Sequence, residues 1–344
     1  MIATVAVRAL GVLLLLTALS LALFRAPDWP AEALVARWAP APSDFIEVQG
    51  QVVHVRDEGP RHDGVNSPPP IVLIHGTSAS LHTWEGWAKA LRTERRVITF
   101  DLPGFGLTGP WSESFTGNYP HDHYQGDAYA RFVLALLDKL QVQRVVLGGN
   151  SLGGEVAWRT AYLAPQRVQQ LILVDAVGPA FQPKSIPLAF MIARVPVLNR
   201  VPELLLPRGV VENSVRSVYG DPTKVTPALV DRYFQMTLRE GNRRALSLRM
   251  ENAVNGADAE RIATLKLPTL ILWGGQDRLI PPEVGEAFQR QIDGSQRVVF
   301  DKLGHVPQEE DPVATVLAVK AFLGLNTALS PALGPTFGTP PTTP

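Results

Sequence analysis

The stretch Gly148 to Gly154 reads "GGNSLGG" and sets a single hydroxyl, that of Ser151, among glycines. An apolar strand pattern, Arg144–Leu147, precedes it, and a helical pattern, Leu152–Ala164, follows it up to Pro165. Where a strand passes into a helix through Gly-x-Ser-x-Gly, the turn is so tight that side chains two residues before or after the serine would collide with the backbone. The stretch therefore predicts a serine held at the carboxyl end of a strand, above a helix N-terminus that favours negative charge.

Short apolar strand patterns and helical patterns alternate on both sides of this turn. A hairpin about Gly50 is predicted from Phe45–Gln49 and Gln51–Arg56, and the remaining strands are predicted at Ile71–Ile74, Val97–Phe100, Arg144–Leu147, Gln170–Val174, Leu270–Trp273 and Arg297–Phe300. Helices are predicted at Asp127–Leu140, Leu152–Ala164, Glu283–Gln291 and Pro312–Leu323. This alternation is typical of an α/β fold in which helices cover both faces of a mostly parallel sheet, here of eight strands.

The alternation stops between Val174 and Leu270, where helical patterns continue without a convincing strand. We interpret residues 178–262 as a helical cap inserted after the sixth strand. Its first part, "PLAFMIARVP", is predicted to place four apolar side chains on one helical face, those of Leu188, Met191, Ile192 and Val195. The other predicted segments are a Pro/Ala-rich linker at 26–43, the α/β core at 44–177 and 263–325, and a disordered Pro/Thr/Gly-rich tail at 326–344.

The N-terminus is apolar from Ile2 to Phe24, with Arg8 as its only charge. That length meets the roughly 20 apolar residues that a membrane-spanning helix needs, and Arg8 can snorkel to the lipid headgroups. Residues 1–25 are therefore predicted to anchor the chain in a bacterial inner membrane, with the catalytic domain on the periplasmic side. The alternative is secretion after cleavage of a signal peptide at Ser20-Leu21-Ala22, a small-x-small site within the apolar run.

Composition excludes several other classes of function. The 344 residues carry 32 basic and 32 acidic side chains, so the net charge is zero. A balanced charge gives no electrostatic reason to expect a nucleic acid partner. The chain has no cysteine, which excludes disulfides and thiolate metal sites. We find no glycine-rich dinucleotide motif, and we therefore expect neither a cofactor nor a metal ion.

Two further groups are expected at the same edge of the sheet as the serine. His305 lies in "LGHVPQEE", after the strand Arg297–Phe300, and Asp277 lies in "WGGQDRLIPP", after the strand Leu270–Trp273. Parallel strands end together at the edge where open α/β sheets bind their ligands. A serine hydroxyl needs a base to take its proton, and that base needs an acid to orient it. The chain order Ser, Asp, His therefore predicts a catalytic triad of Ser151, Asp277 and His305.

A tetrahedral oxyanion would also need hydrogen-bond donors. The backbone N–H of Leu152, directly after the serine, is one candidate. The second is the backbone N–H of Thr77, because "IVLIHGTSAS" ends a buried strand just before this residue.

Three nearby side chains have other predicted roles. His75 directly follows a buried strand, and we expect it to make structural hydrogen bonds rather than act as a base. Asp101 in "FDLPGFG" is expected to fix a turn beneath the pocket. Asp175 follows the strand Gln170–Val174 and is the second choice, after Asp277, for the acid of the triad.

The motifs "HGTSAS", "DLPGFGLTG", "GNSLGG", "WGGQDRLIP" and "GHVPQEEDP" occur in order between about Phe45 and Leu323 and resemble those of the α/β-hydrolase superfamily. The resemblance is strongest to the cap-bearing group of esterases, meta-cleavage-product hydrolases and epoxide hydrolases. It implies the α/β-hydrolase fold and a serine nucleophile, because epoxide-opening and halide-removing relatives carry an aspartate at position 151. The carbon–carbon hydrolases of the group usually have a more glycine-rich stretch than "HGTSAS", which disfavours that activity.

These observations predict a serine hydrolase that cleaves a small or lipophilic carboxylic ester through an acyl-enzyme. The apolar start of the cap is consistent with a hydrophobic substrate. Carbon–carbon bond hydrolysis and cofactor-free perhydrolysis use the same triad, so both stay open as alternatives. A hydrolase-fold protein that binds a ligand with little turnover is the remaining alternative.

Overall fold

The computed structural model describes residues 2–61, 67–113, 115, 122–195 and 201–327. Most of the predicted tail, from residue 328 onward, lies outside the described residues. Within them, the chain forms an eight-stranded sheet in the order β1-β2-β4-β3-β5-β6-β7-β8. The strands are β1 (Ser43–Val48), β2 (Gln51–Glu58), β3 (Ile71–Ile74), β4 (Val97–Phe100), β5 (Val145–Asn150), β6 (Val168–Val174), β7 (Thr269–Gly274) and β8 (Gln296–Phe300).

The sheet is mostly parallel, as predicted. The β1–β2 hairpin is antiparallel, β2 pairs antiparallel with β4, and every other pair of neighbours runs parallel. Parallel strands buried on both faces need continuous apolar runs, and β3 and β4 are buried at every position. The parallel strands bring the loops after β3, β5, β6, β7 and β8 to one edge.

Helices cover both faces of the sheet and continue between β6 and β7. They are α1 (Ile2–Phe24), α2 (Ala31–Trp38), α3 (Glu85–Leu91), α4 (Gly126–Lys139), α5 (Leu152–Leu163), α6 (Leu188–Arg194), α7 (Val201–Leu204), α8 (Arg208–Val218), α9 (Pro227–Leu238), α10 (Asn242–Asn252), α11 (Glu283–Gln291), α12 (Pro307–Glu310) and α13 (Pro312–Phe322). One apolar core includes side chains of α4, α5 and α11, and the core on the opposite face includes side chains of α3 and α13. The fold is therefore the predicted α/β-hydrolase architecture, with an apolar helix before it.

The segment 26–43 differs from the predicted Pro/Ala-rich linker, because part of it is a packed helix. Residues Ala31–Trp38 form α2, and Leu34 is buried against Leu107 and Met236. The Trp38 indole N–H donates to Gln235 Oε1 at 2.7 Å, which ties α2 to α9. Two physical reasons explain the helix. The residues "AEALVARW" after Pro30 include good helix formers, and large apolar side chains among them pack against the core.

By length and composition, one helix among the described residues could cross a membrane. It spans Val5–Phe24 with a mean hydropathy of 2.3, and none of it is buried. Its end is not free, because the Ala26 N–H donates to the Leu204 carbonyl and the Leu206 N–H donates to the Phe24 carbonyl, both at 3.1 Å. This short ladder joins the end of α1 to the segment that follows α7.

Candidate active site

Ser151 occupies a strained turn between β5 and α5. Its backbone has φ 56° and ψ −116°, a conformation that a serine adopts only under constraint. A Cβ added at Gly149 would lie 2.1 Å from the Gly153 carbonyl oxygen, and one added at Gly153 would lie 2.1 Å from the Ile74 carbonyl oxygen. The glycines on either side of the serine are therefore sterically required, as the sequence pattern predicts.

The central position of β5 fixes this turn. β5 lies between β3 and β6, and the Ser151 N–H donates to the carbonyl of Val174 at the end of β6, at 3.0 Å. The Ser151 carbonyl accepts from Glu155 in α5 and from Val177, each at 3.1 Å. Backbone bonds to three neighbouring segments hold the hydroxyl where strand and helix meet.

Asp277 and His305 meet as predicted. Nδ1 of His305 donates to Oδ2 of Asp277 at 2.7 Å, and both side chains are buried. The second oxygen of Asp277, Oδ1, accepts from the backbone N–H groups of Leu279 and Ile280 at 2.8 and 3.0 Å. The carboxylate is thus fixed by its own loop, and the imidazole is held with Nε2 left for another partner.

The loop that carries His305 is bonded to the serine strand and to the segment between β6 and β7. The Asn150 side-chain amide donates to the His305 carbonyl at 2.9 Å, and the His305 N–H donates to the Val218 carbonyl at 2.7 Å. Asn150 is a positioning residue that the sequence analysis did not identify, although it directly precedes Ser151. The sequence feature that could have indicated this role is a polar side chain at the end of a buried strand.

Glu310 organises the same loop from its far side. One carboxylate oxygen accepts from the N–H groups of Gly304 and Gly220 at 2.8 and 2.9 Å, and the other accepts from Asp221 at 2.8 Å. Gly304 directly precedes His305, whereas Gly220 and Asp221 follow α8. A single buried carboxylate therefore joins the histidine loop to the helical segment above the sheet.

The residues predicted to bind an oxyanion lie beside the serine. Thr77 lines the same cavity as Ser151, and Leu152 is the first residue of α5, whose first amides have no partner within the helix. A Cβ added at Gly76 would lie 3.1 Å from Cβ of Ser151, so this loop passes close to the hydroxyl.

His75 makes the structural hydrogen bonds expected of it. The Leu102 N–H donates to Nε2 at 2.9 Å, so Nδ1 carries the ring proton and donates to the Gly76 carbonyl at 2.7 Å. Burial lowers the pKa of His75, which keeps the ring neutral. Asp101 likewise fixes a turn, because it accepts from the N–H groups of Leu81 and Leu107 at 2.7 and 2.8 Å.

Asp175 lies beside Asp277, and Asp277 is the carboxylate that accepts the hydrogen bond from His305. One oxygen of each carboxyl, Asp175 and Asp277, and one ring nitrogen of His305 all lie within 4.8 Å of one another. Oδ1 of Asp175 accepts from the Gly274 N–H at 2.9 Å, and Oδ2 is buried without a hydrogen-bond partner among the described residues. Burial, together with the nearby Asp277 carboxylate, raises the pKa of Asp175 well above its ordinary value.

Burial therefore favours the protonated form of Asp175, and Asp277 is the carboxyl that contacts His305. Because Nδ1 of His305 keeps its proton for Asp277, that nitrogen has no free lone pair for a metal ion. We interpret the three groups as an acid pair beside a base.

Ser151 and His305 face one apolar cavity of about 380 Å³. Its floor is the catalytic edge of the sheet, with Gly76, Thr77 and Asn150 next to the serine. Its walls are apolar side chains between β6 and β7, which include Phe190, Ile192, Leu206, Val211 and Val215. Ser20 and Phe24 of α1 complete the wall on one side. The volume lies within the range of about 300–1,000 Å³ that is usual for small-ligand sites.

Comparisons with known proteins show the family of this fold. Residues 69–312 match the family model described as alpha/beta hydrolase fold. The 2-hydroxy-6-oxo-2,4-heptadienoate hydrolase of Pseudomonas putida is 30% identical over 273 residues, which cover 76% of this chain and 91% of that protein.

Two solved structures share the fold. The meta-cleavage product hydrolase CumD of Pseudomonas fluorescens IP01 is 25% identical with a TM-score of 0.66, over 82% of this chain and 97% of that one. A thermophilic esterase of Thermogutta terrifontis is 27% identical with a TM-score of 0.63, over 83% of this chain and 98% of that one. Of these two similarly related proteins, one is thus named a meta-cleavage product hydrolase and the other an esterase.

Proposed function

This chain belongs to the α/β hydrolase fold family, and on that premise we propose that it cleaves a neutral, lipophilic carboxylic ester through an acyl-enzyme. The observation that carries the proposal is the Asp277–His305 pair, joined at 2.7 Å, which faces the same apolar cavity as the strained Ser151.

Each residue of the site has one role in the proposed reaction. His305 Nε2 takes the proton of Ser151 as its oxygen attacks the ester carbonyl, and Asp277 stabilises the imidazolium that forms. The N–H groups of Thr77 and Leu152 donate to the oxyanion. His305 then gives its proton to the departing alcohol, and water cleaves the acyl-enzyme with His305 as the base again.

The charge of the cavity favours a neutral ester over a dienoate. Arg243 is the only Lys, Arg, Asp or Glu side chain among the described residues that line the cavity. Its guanidinium is bonded to the Asp28 carboxylate, which also accepts from the Gly241 N–H at 3.2 Å. A carboxylate substrate would have to compete with Asp28 for this cation, whereas a neutral ester needs no such partner.

Carbon–carbon hydrolysis is the second candidate, because the Pseudomonas putida relative is named as a heptadienoate hydrolase. The same serine, base and oxyanion donors could serve both reactions. A direct comparison of kcat/KM on an ester panel and on a 2-hydroxy-6-oxo-dienoate separates them. We expect the esters to be preferred, and preference for the dienoate would replace the first proposal with the second.

We also propose that α1 is retained as an anchor in a bacterial inner membrane, with the catalytic edge outside the cytoplasm. Two observations support retention over secretion: Ser20 and Phe24 form part of the cavity wall, and the end of α1 pairs with the Leu204–Leu206 backbone. Cleavage after Ala22 would remove the Ser20 part of that wall. Intact mass measurement of the membrane fraction tests this, since a mass that lacks residues 1–22 would contradict retention.

The variant Ser151→Ala tests the proposed reaction. We expect ester turnover to fall by about 10³-fold or more with an unchanged melting temperature, because only the nucleophile is removed. The same panel on Ser214→Ala, a hydroxyl in the cavity wall without a proposed catalytic role, provides the control. Full activity in Ser151→Ala would overturn the proposal, and ligand binding without turnover in the unmodified chain would favour a binding protein.

A further inference from the structure

The helix α6 carries apolar side chains on both of its faces, and its one charged residue, Arg194, is exposed at its C-terminal end. Ala189, Phe190 and Ile192 line the cavity, whereas Leu188 and Met191 on the other side are 49% and 51% exposed. Apolar side chains on both faces of a helix suit a protein core or a membrane better than a protein surface in water, and an arginine at the helix end can extend to lipid headgroups. The outer face of α6 therefore needs a cover, and the described chain does not provide one.

Further exposed apolar side chains lie at the end of α1. Leu204, at the end of α7, is 64% exposed, and its carbonyl accepts the Ala26 N–H directly after α1. Phe24 is 43% exposed and also contributes to the cavity wall. We call Leu188, Met191, Val195 and Leu204 the outer apolar face. This face is joined through the backbone ladder to a helix that can span a bilayer.

The position of the cavity along α1 determines how deep the cavity lies relative to a bilayer that α1 spans. Ser20 and Phe24 are one turn apart, so the cavity runs along about 6 Å of the last turn of α1. If α1 spans a bilayer, that turn lies at the boundary between the acyl chains and the headgroups. A cavity wall made of α1 places this side of the cavity beside lipid.

We infer that the outer apolar face lies in the bilayer and that the substrate is a long-chain acyl ester which enters the cavity from the membrane, between α1 and α6. The inference rests on the proposed function and on the retention of α1. The acyl chain exchanges lipid for the apolar side chains of the cavity, and the ester carbonyl reaches Ser151 at its floor. The mostly apolar lining, whose one cation, Arg243, is bonded to Asp28, fits a neutral acyl ester.

The first experiment measures turnover of two esters with the same leaving group. The full chain is reconstituted in phosphatidylcholine vesicles and given 4-methylumbelliferyl oleate within the vesicles or 4-methylumbelliferyl butyrate in solution. The test variant is the double substitution Leu188→Asp with Met191→Asp, and neither residue lines the cavity. The control is Leu163→Asp, which is 38% exposed at the far end of α5, about 18 Å from Ser151.

We expect the double variant to lose about tenfold or more of oleate turnover and to keep butyrate turnover within about twofold, because charge disfavours insertion into lipid. The control should change neither rate. Equal losses on both substrates, or no loss on either, would overturn the inference.

The second experiment measures depth and does not depend on catalysis. Because the chain has no cysteine, Met191→Cys and Leu163→Cys can each carry a single nitrobenzoxadiazole fluorophore. In vesicles with nitroxide-labelled lipid, we expect strong quenching at position 191 and little at position 163. Equal quenching at the two positions would overturn the inference even if the ester is hydrolysed. Quenching at position 191 in a chain without esterase activity would support membrane insertion and reject the proposed function instead.

Discussion

Ser151 is held in a backbone conformation that costs about 1–3 kcal/mol, and the residues around it maintain the strain. Gly153 shows how closely they pack, because any side chain there would meet the Ile74 carbonyl. The sequence alone predicted this part of the site, since the chemistry of Gly-x-Ser-x-Gly is local. It also predicted the residues Asp277 and His305, because each follows a recognisable strand.

The roles of Asn150 and Asp175 could not be predicted in the same way. Asn150 acts through a hydrogen bond to a carbonyl 155 residues further along the chain. Asp175 could be placed at the correct edge, but its protonation depends on burial and on the distance to Asp277, and neither can be seen in a linear pattern. Such properties arise only when distant segments pack together.

The two carboxyls should differ sharply when each is made an amide. Asp277→Asn removes the charge that orients His305 and allows the wrong ring tautomer, so we expect kcat to fall by about 10⁴-fold. Asp175→Asn keeps the shape of a carboxyl whose protonated form is favoured by burial, so kcat should stay within about tenfold. Steady-state kinetics on one soluble ester decide this, and the reverse order of effects would make Asp175 the acid of the triad.

Asp175 should also make folding stability depend on pH. Its folded pKa is raised above the ordinary 3.8, so as pH rises past 3.8 the unfolded chain releases a proton that the native state retains. This group therefore lowers the free energy of unfolding progressively above that pH, and Asn does not titrate. We expect Asp175→Asn to melt higher than the unmodified chain at pH 8 and equally at pH 3.5. A variant that melts lower at pH 8 would contradict the assigned protonation.

At the scale of helices and strands, apolar periodicity predicted most elements within two residues of their observed ends. β5 is the exception, because the prediction stopped at Leu147 and the strand continues to Asn150. Gly148 and Gly149 are poor strand formers, yet they pair with β3 and β6. The short helices α2 and α3 were not predicted, since seven or eight residues are too few for a clear helical period.

Glu310 should control the order of the histidine loop. Glu310→Ala leaves the N–H groups of Gly304, Gly220 and Asp221 without their acceptor, and charge-assisted bonds of this kind contribute about 1.5–3 kcal/mol each to stability. We expect lower kcat together with a lower melting temperature, and partial recovery in Glu310→Gln. Hydrogen exchange of the loop 301–306 measures the effect directly. Unchanged exchange in Glu310→Ala would show that the carboxylate does not hold the loop.

At the scale of the whole molecule, strand order and the attachment of the cap helices depend on pairings that composition does not specify. The buried pair of Glu155 in α5 and Arg249 in α10, with Arg249 Nη2 2.8 Å from Glu155 Oε2, is one such attachment. The ladder between α1 and the Leu204–Leu206 backbone is another. The sequence does not reveal either of these contacts, because residues of the same types also occur at ordinary surface positions.

The Glu155–Arg249 pair should couple the cap helices to the core. Arg249→Met leaves Glu155 with Arg159 as its remaining charged partner, so we expect a loss of stability smaller than the cost of about 3–5 kcal/mol for a fully unpaired buried charge. Adding Glu155→Gln should recover part of that loss, so the two changes will be non-additive. Denaturant unfolding of the single and double variants measures the coupling, and strict additivity would argue that the two side chains act independently.

The most direct test of the central claim is the site and rate of labelling by a fluorophosphonate, followed by peptide mass spectrometry of the full chain. We expect a single modified residue, Ser151, with labelling slowed by orders of magnitude in His305→Ala. Labelling at another residue, or an equal rate at Ser151 without the imidazole, would contradict the claim that Ser151 is a nucleophile activated by His305.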